Sequence, residues 1–415
     1  MNTVLRDKKF LAKAEILAYT GVCLLLIGFL FNRVVNNIGF FLIAVYTLIR
    51  IREAKKLLQD PWMISFVLIA MVPWVSDLLL EGTRFYLYRG DMKLMLPVFP
   101  LFFMAWQPSD RDIRRISILF LVLMAVSTVY SMYHYLTDFK NMYMTYKQSG
   151  VVLTLSKKDH IRIGWATAVS CLLAADMARK SPFRWSGGLL YLYAAAQFGF
   201  LHVLGSKTGL LLLYAGLLIY LIWSLPGQRK WMAAVLIPLM MAVPVIAYKT
   251  IPSFEQRVNF IKYDFEYYSR GEYREGLSDA NRFYSLMAGK DIIRSHPWLG
   301  TGFSRLQGHV NEWYKANRPE IEQKNYFLPT SQIIIYWASA GVAGLLVILF
   351  HLIWPLTRKS LLTNALFCAF FIPAAGSFTF ETHLENQLPL FFYGFFTAFF
   401  WFRAGFGRNH SPEGI

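Results

Sequence analysis

Residues 332–354 read QIIIYWASAGVAGLLVILFHLIW, twenty-three consecutive positions without Asp, Glu, Lys or Arg. As a helix rising about 1.5 Å per residue, the run measures about 34 Å. That just exceeds the roughly 30 Å hydrocarbon core of a bilayer. A segment in hydrocarbon must satisfy its backbone polar groups internally, so the run is read as a transmembrane helix. Runs of the same kind recur on both sides of it. We place spans at Ile16–Phe31, Val34–Ile49, Trp62–Leu80, Leu94–Trp106, Ile116–Tyr135, Ile163–Ala175, Leu189–Leu204, Leu210–Trp223, Trp231–Tyr248, Gln332–Trp354, Leu361–Phe380 and Leu388–Phe402. The fold class is therefore all-α and polytopic, with about twelve transmembrane helices. Pro97 and Pro100 predict a kink in the fourth span. The composition agrees: 56% of the 415 residues are hydrophobic and 17% aromatic, against about 45–50% apolar in soluble domains.

The formal charge of +17 would suggest nucleic acid on a soluble protein. Here the basic residues cluster between apolar runs and set topology instead. Arg6, Lys8, Lys9 and Lys13 precede span one. Further clusters are Arg50/Arg52/Lys55/Lys56, Arg111/Arg114/Arg115, Arg179/Lys180/Arg184, Arg229/Lys230, Arg358/Lys359 and Arg403/Arg408. With twelve spans all of them share one side, which the positive-inside rule makes the cytoplasm. Both termini are then cytoplasmic. No small-residue cleavage pattern follows the first run, so it is expected to remain as a helix. Cys23, Cys171 and Cys368 all lie in apolar runs and read as packing residues.

The opposite face receives a long polar segment, Thr250–Ser331, between spans nine and ten. The chain is thus read as residues 1–249 carrying nine spans, 250–331 a partly helical outer loop, and 332–415 the last three spans and a tail. Within the loop, Ser278 or Asp279 is expected to cap a helix ending before His296-Pro297. Pro297, Gly300 and Gly302 mark a tight turn. A second helix is expected from Ser304 to Ala316.

Candidate chemistry converges on that outer face. His160 and Arg162 stand at the start of span six, although basic residues there commonly snorkel to the interface. Gly205-Ser206-Lys207-Thr208-Gly209 joins spans seven and eight; it resembles a phosphate cradle in composition but lacks P-loop spacing. Arg282 lies in the first loop helix. Arg162, Lys207 and Arg282 together suit a diphosphate. Glu381, His383 and Glu385, between spans eleven and twelve, offer carboxylates to orient or deprotonate a hydroxyl, or to balance the cations. His296 and His309 are further acid–base candidates. Asp77 and Glu81 lie one turn apart near the outer end of span three.

The segments Ser295-His296-Pro297-Trp298-Leu299-Gly300-Thr301-Gly302-Phe303 and Trp337-Ala338-Ser339-Ala340-Gly341-Val342-Ala343-Gly344-Leu345, with the span plan and the loop position, resemble the O-antigen ligase and polymerase superfamily of bacterial membrane glycosyltransferases. The resemblance implies a GT-C-like architecture in the bacterial inner membrane. It implies a glycan on undecaprenyl diphosphate, transferred on the periplasmic face without metal, nucleotide or other cofactor. The acceptor would be lipid A-core (ligase) or a growing polysaccharide (O-antigen or exopolysaccharide polymerase). The partners implied are these glycans and membrane lipids, not nucleic acid. It implies catalytic roles for Arg282, Lys207 and Glu385; the residues themselves add Arg162, His160 and Glu381 to Lys207 and Arg282 as diphosphate or glycan contacts, and leave His309, His160, Glu381 or Glu385 as candidates to act on the acceptor. One departure stands out. Ligases of this family carry Pro-His before span ten, whereas this chain has Pro329-Thr330, and Thr330 cannot serve as a base. A secondary transporter and a non-catalytic scaffold are the competing classes. The transporter reading calls for two similar halves and broken helices with midplane sites.

Overall fold

A computed structural model describes residues 2–52, 60–81, 90–139, 152–156, 159–225 and 230–406. The helices are α1 (Asn2–Phe31), α2 (Arg33–Ile49), α3 (Pro61–Glu81), α4 (Gly90–Lys93), α5 (Val98–Trp106), α6 (Asp110–Thr137), α7 (His160–Arg179), α8 (Arg184–Leu204), α9 (Lys207–Ser224), α10 (Lys230–Thr250), α11 (Pro252–Ser269), α12 (Ser278–Ser295), α13 (Leu306–Asn317), α14 (Gln332–Ile353), α15 (Lys359–Leu362), α16 (Ala365–Ser377) and α17 (Gln387–Trp401). No β-strand occurs among the described residues. The chain is a polytopic helical membrane protein.

Each expected span contains a helix, but the helices differ in reach. Seven (α1, α3, α6, α7, α8, α9 and α14) are long and apolar enough to cross a membrane. An eighth would be α10 with α11, which bend by 98° at their junction. Helices α2, α5, α16 and α17 are shorter, at 17, 9, 13 and 15 residues. The expected fourth span, Leu94–Trp106, is helical only from Val98, because residues 94–97 form a turn that ends in Pro97. Basic clusters at Lys55/Lys56, Arg229 and Arg408 lie outside the described residues.

Close helix crossings organise the bundle. Helices α1 and α2 form a tight hairpin in which a Cβ on Gly28 would sit 2.1 Å from Asn36 N. Asn36 Nδ2 donates to Leu25 O at 2.8 Å across it. Small residues allow such backbone approach where lipid offers no hydrophobic drive. The central helix α7 is buried along most of its length and packs on α6, α8, α9 and α16. It crosses α9 where Gly164 meets Gly209; a Cβ on Gly209 would sit 2.7 Å from Gly164 C. Buried polar pairs cross-link the core: Trp62 Nε1 donates to His351 O at 3.0 Å, and His351 Nε2 meets Tyr393 OH at 2.8 Å. These contacts tie α3, α14 and α17 together.

Helices α11–α13 fill the long polar segment. Helix α12 ends before His296-Pro297, as expected, and α13 begins two residues later than expected. The cap of α12 is a correction. Neither Ser278 nor Asp279 caps it; Asp264 of α11 accepts from Asp279 N at 2.7 Å and Ala280 N at 3.0 Å. A carboxylate from a neighbouring helix thus satisfies donors that the first turn leaves open.

The run that opened the sequence reading is not one continuous helix. Gly341 adopts φ 62°, ψ −151°, and breaks α14. Residues 298–302 lie against the break: Thr301 N donates to Ala338 O at 2.9 Å, Gly302 N to Ser339 O at 2.8 Å, and Val342 N to Trp298 O at 3.2 Å. A Cβ on Gly341 would stand 2.0 Å from Trp298 O, so both the conformation and the approach require glycine. Asp77 of α3 holds the same loop, accepting from Phe303 N and Ser304 N at 2.6 and 3.2 Å. The Pro297–Gly302 turn is therefore a plug for a broken helix, and Asp77 has a structural task.

Candidate functional site

The turn between α8 and α9 is built by local chemistry. Gly205 closes α8 in the left-handed region (φ 61°), and Ser206 Oγ accepts from Gly209 N at 3.3 Å to cap α9. The Gly-Ser-Lys-Thr-Gly stretch is thus a C-cap followed by an N-cap. It leaves Lys207 and Thr208 on the first turn of α9. Because α7 and α9 cross at Gly164 and Gly209, Arg162 is brought beside Thr208.

A cavity of about 300 Å³ opens there. Its walls include Arg33, Asp159, Arg162, Thr208, Glu381 and His383. A second recess of about 280 Å³ shares Arg33, Asp159 and Arg162 and reaches the α1–α2 turn. Arg162 is buried over Phe29, its guanidinium 5.2 Å from the ring centroid, with Nε 3.5 Å from Asp159. Also lining it, Glu381 Oε1 takes a hydrogen bond from Thr208 Oγ1 at 2.6 Å and pairs with Arg282 Nη1 at 3.0 Å. Near that pair, Lys207 meets Asp279, which stands one turn before Arg282 on α12. Arg257 of α11 packs its stem near Gly205 and interacts with Asp264, Asp279 and Arg282. Its Nε is buried without a hydrogen-bond partner among the described residues.

Arg162, Lys207 and Arg282 therefore meet at one end of the bundle, each with a carboxylate of its own and with a cavity lined by Arg162 and Glu381. Two cations not singled out from the sequence, Arg33 and Arg257, complete the group. Five cations face four carboxylates (Asp159, Asp264, Asp279, Glu381), so the resting site is nearly neutral. Arg282 is one-third exposed and Glu381 12% exposed. Such a pair is accessible enough to exchange partners with an entering anion.

Glu385 lies apart from this exchange. It is buried, and both its oxygens pair with Lys93 Nζ, at 2.9 and 3.0 Å. Gln332 Nε2 donates to Glu385 Oε1 at 2.8 Å, while Gln332 Oε1 accepts from Leu384 N at 3.0 Å. The start of α14 thus clamps the turn that carries both glutamates. Thr330, at the position of the family histidine, meets Ser285 one turn beyond Arg282, with Oγ atoms 3.3 Å apart. His383 is buried against Trp165, with Nε2 2.6 Å from Ser377 Oγ; burial pushes its imidazole down to about 3 and keeps it neutral. His309 sits on α13 against His296, ring centroids 5.5 Å apart, and beside Glu312. None of its described contacts is with the cationic group. His160 is the first residue of α7, directly after its cap Asp159. Glu81 has no described side chain.

A polytopic helical membrane protein with an anion-suited cavity at one bundle end is the class defined by this fold and site. Residues 192–349 match the family model described as O-antigen ligase. Over that span the chain is similar to the O-antigen ligase family, and both segments that carry the resemblance, 295–303 and 337–345, lie within it. The activity of that family is of glycosyltransferase type. No curated protein sequence matches the chain. The matched span contains Lys207, Arg257, Arg282 and the α14 break; Arg162, Glu381 and Glu385 lie outside it.

Proposed function

We propose that this protein transfers a glycan from a polyprenyl diphosphate carrier to an acceptor hydroxyl. The reading is ligase-like, with lipid A-core as acceptor and undecaprenyl diphosphate as carrier. Extension of a polysaccharide by the same chemistry is the alternative. In this reading all twelve helical runs are membrane-embedded, both termini are cytoplasmic, and the cavity opens to the periplasm. The shorter helices are completed by flanking residues or enclosed by their neighbours.

The observation that carries the proposal is that Arg162 and Glu381 line one cavity, with Glu381 paired to Arg282. An entering diphosphate takes Arg282 as partner, with Arg33 and Arg162 lining the same cavity and Arg257 and Lys207 near Arg282. Glu381, released from Arg282, accepts the proton of the acceptor hydroxyl. The hydroxyl oxygen forms its bond to the anomeric carbon. The carbon–oxygen bond to the diphosphate breaks, and its electron pair leaves with the lipid diphosphate. Fixed cations stabilise the charge that develops there. Losing one such group typically costs about 10²–10³ in rate.

Arg162→Ala and Arg282→Ala are expected to lose glycan transfer while inserting at normal levels, read by surface-polysaccharide gels and membrane immunoblots. Normal transfer in both variants would end the site assignment. In the native host, deletion that leaves lipid-linked polymer but no capped lipopolysaccharide identifies a ligase. Capping by single repeat units identifies a polymerase. The break in α14 meets one demand of the transporter reading, but the protein's own residues 298–302 fill it.

A further inference from the structure

A larger cavity, of about 540 Å³, lies at the other end of the bundle. It opens where α6 begins, α7 ends and α8 begins, and Asn364 and Arg403 close it. From Arg162 to Lys180 along α7 is about 27 Å, so the two cavities are separated by roughly a membrane's thickness.

The lining has two characters. Part of the lining is charged and polar: Arg114, Lys180, Arg403, Ser186, Asn364 and Asp110. At its base, buried Asp176 accepts from Arg403 Nη2 at 2.7 Å, Lys180 Nζ at 2.9 Å and Tyr220 OH at 3.1 Å. Arg179 stands 3.9 Å from the same carboxylate. Four cations (Arg114, Arg179, Lys180, Arg403) thus face two carboxylates (Asp110, Asp176), a surplus of two. Arg403 Nη1 is buried and has no hydrogen-bond partner among the described residues. Apolar residues, Ile113, Met177 and Leu190, also line it. Next to it Phe183 and Trp185 stack at 6.5 Å and are both exposed, as aromatic residues are at the membrane–water boundary.

We propose that this cavity binds an anionic phospholipid, its phosphate against Arg403, Lys180 and Arg114 and the start of its acyl chains along Ile113, Met177 and Leu190. A phosphate supplies the acceptors that the surplus cations and the orphaned Nη1 lack. The apolar lining favours a lipid over a free ion. Basic pockets between helices on the positively charged side of a membrane protein suit such headgroups. The proposal does not depend on the transferase reading.

The test is the melting temperature of the full-length protein in neutral detergent, titrated with phosphatidylglycerol, phosphatidylcholine or inorganic phosphate. Phosphatidylglycerol should raise it, and the other two should not. Arg114→Gln/Lys180→Gln keeps the Arg403–Asp176 pair and should need about tenfold more phosphatidylglycerol, since each basic residue near an anionic lipid contributes measurably. Arg114→Gln alone, a residue in no ion pair among those described, should shift the titration in the same direction. Arg358→Gln/Lys359→Gln, at the same end but outside the cavity, should leave it unchanged. An equal response to phosphatidylcholine or to millimolar inorganic phosphate, or an unchanged titration in both Arg114 variants, would overturn the proposal.

Discussion

Glu381 and Glu385 stand four residues apart in one turn, yet the fold gives them opposite surroundings. Glu381 lines a cavity and shares a partly exposed pair with Arg282. Glu385 is sealed, with Lys93 on both oxygens and Gln332 beside it. The lesson concerns exchangeability. An ion pair on a cavity wall contributes little net stability and can trade partners at small cost. A sealed pair gives no access to a ligand and is costly to break, because removing one partner strands a buried charge. On this account Glu381 belongs to the chemistry and Glu385 to the architecture that aims it.

That contrast can be broken most forcefully at Lys93. Lys93→Ala leaves Glu385 buried without its cation and should cost about 3–5 kcal/mol. This is a large share of the roughly 5–15 kcal/mol that holds a typical domain folded. Reduced protein in membranes and a lowered melting temperature in detergent would register it. A milder result is expected when both charges go. Lys93→Met/Glu385→Leu replaces the pair with apolar bulk, which is often close to neutral for stability. It should restore folding and keep transfer within about tenfold of normal, a loss small enough to count as misalignment rather than missing chemistry. A folded double variant with no transfer would instead make Glu385 a reacting group. The smallest effect should fall at His309, whose described partners are His296 and Glu312. Its replacement by Ala should leave transfer rates unchanged within assay error, and abolished transfer would restore it as the acceptor base.

What the sequence made legible follows from the range of each interaction. The apolar runs are local, and every expected span contains a helix. Two of the three loop helices, α12 and α13, were legible from the capping residues and from Pro297, whereas α11 (Pro252–Ser269) was not expected. The break at Gly341 was not, since one glycine in an apolar run is ordinary, and only contact with residues 298–302 makes it a break. The two segments that carried the family resemblance are the two that dock there, a reason for glycine in both. At the site, Arg162, Lys207 and Glu381 were legible as charges at span ends and Arg282 as a charge in a loop helix, all expected on one face. The pairing of Lys93 with Glu385 spans 292 positions and left no local mark. Arg33 and Arg257 carry no mark in the sequence that sets them apart from other basic residues. The hairpin at Gly28 places Arg33 on the cavity, and the α8–α9 turn at Gly205 places Arg257 beside Asp279 and Arg282. The assignment of Ser278 or Asp279 as cap failed for the same reason: Asp264 reaches in from another helix.

The most direct measurement is the transfer rate of purified, reconstituted Glu381→Gln, set beside that of Lys93→Met/Glu385→Leu. Glu381→Gln keeps the shape and the hydrogen bond from Thr208 but cannot take a proton. Its rate should fall by about 10²–10⁴, as loss of a general base predicts, with an unchanged melting temperature. Transfer by Glu381→Gln at the normal rate, with the Glu385 variant folded and inactive, would contradict the division of labour between the two glutamates.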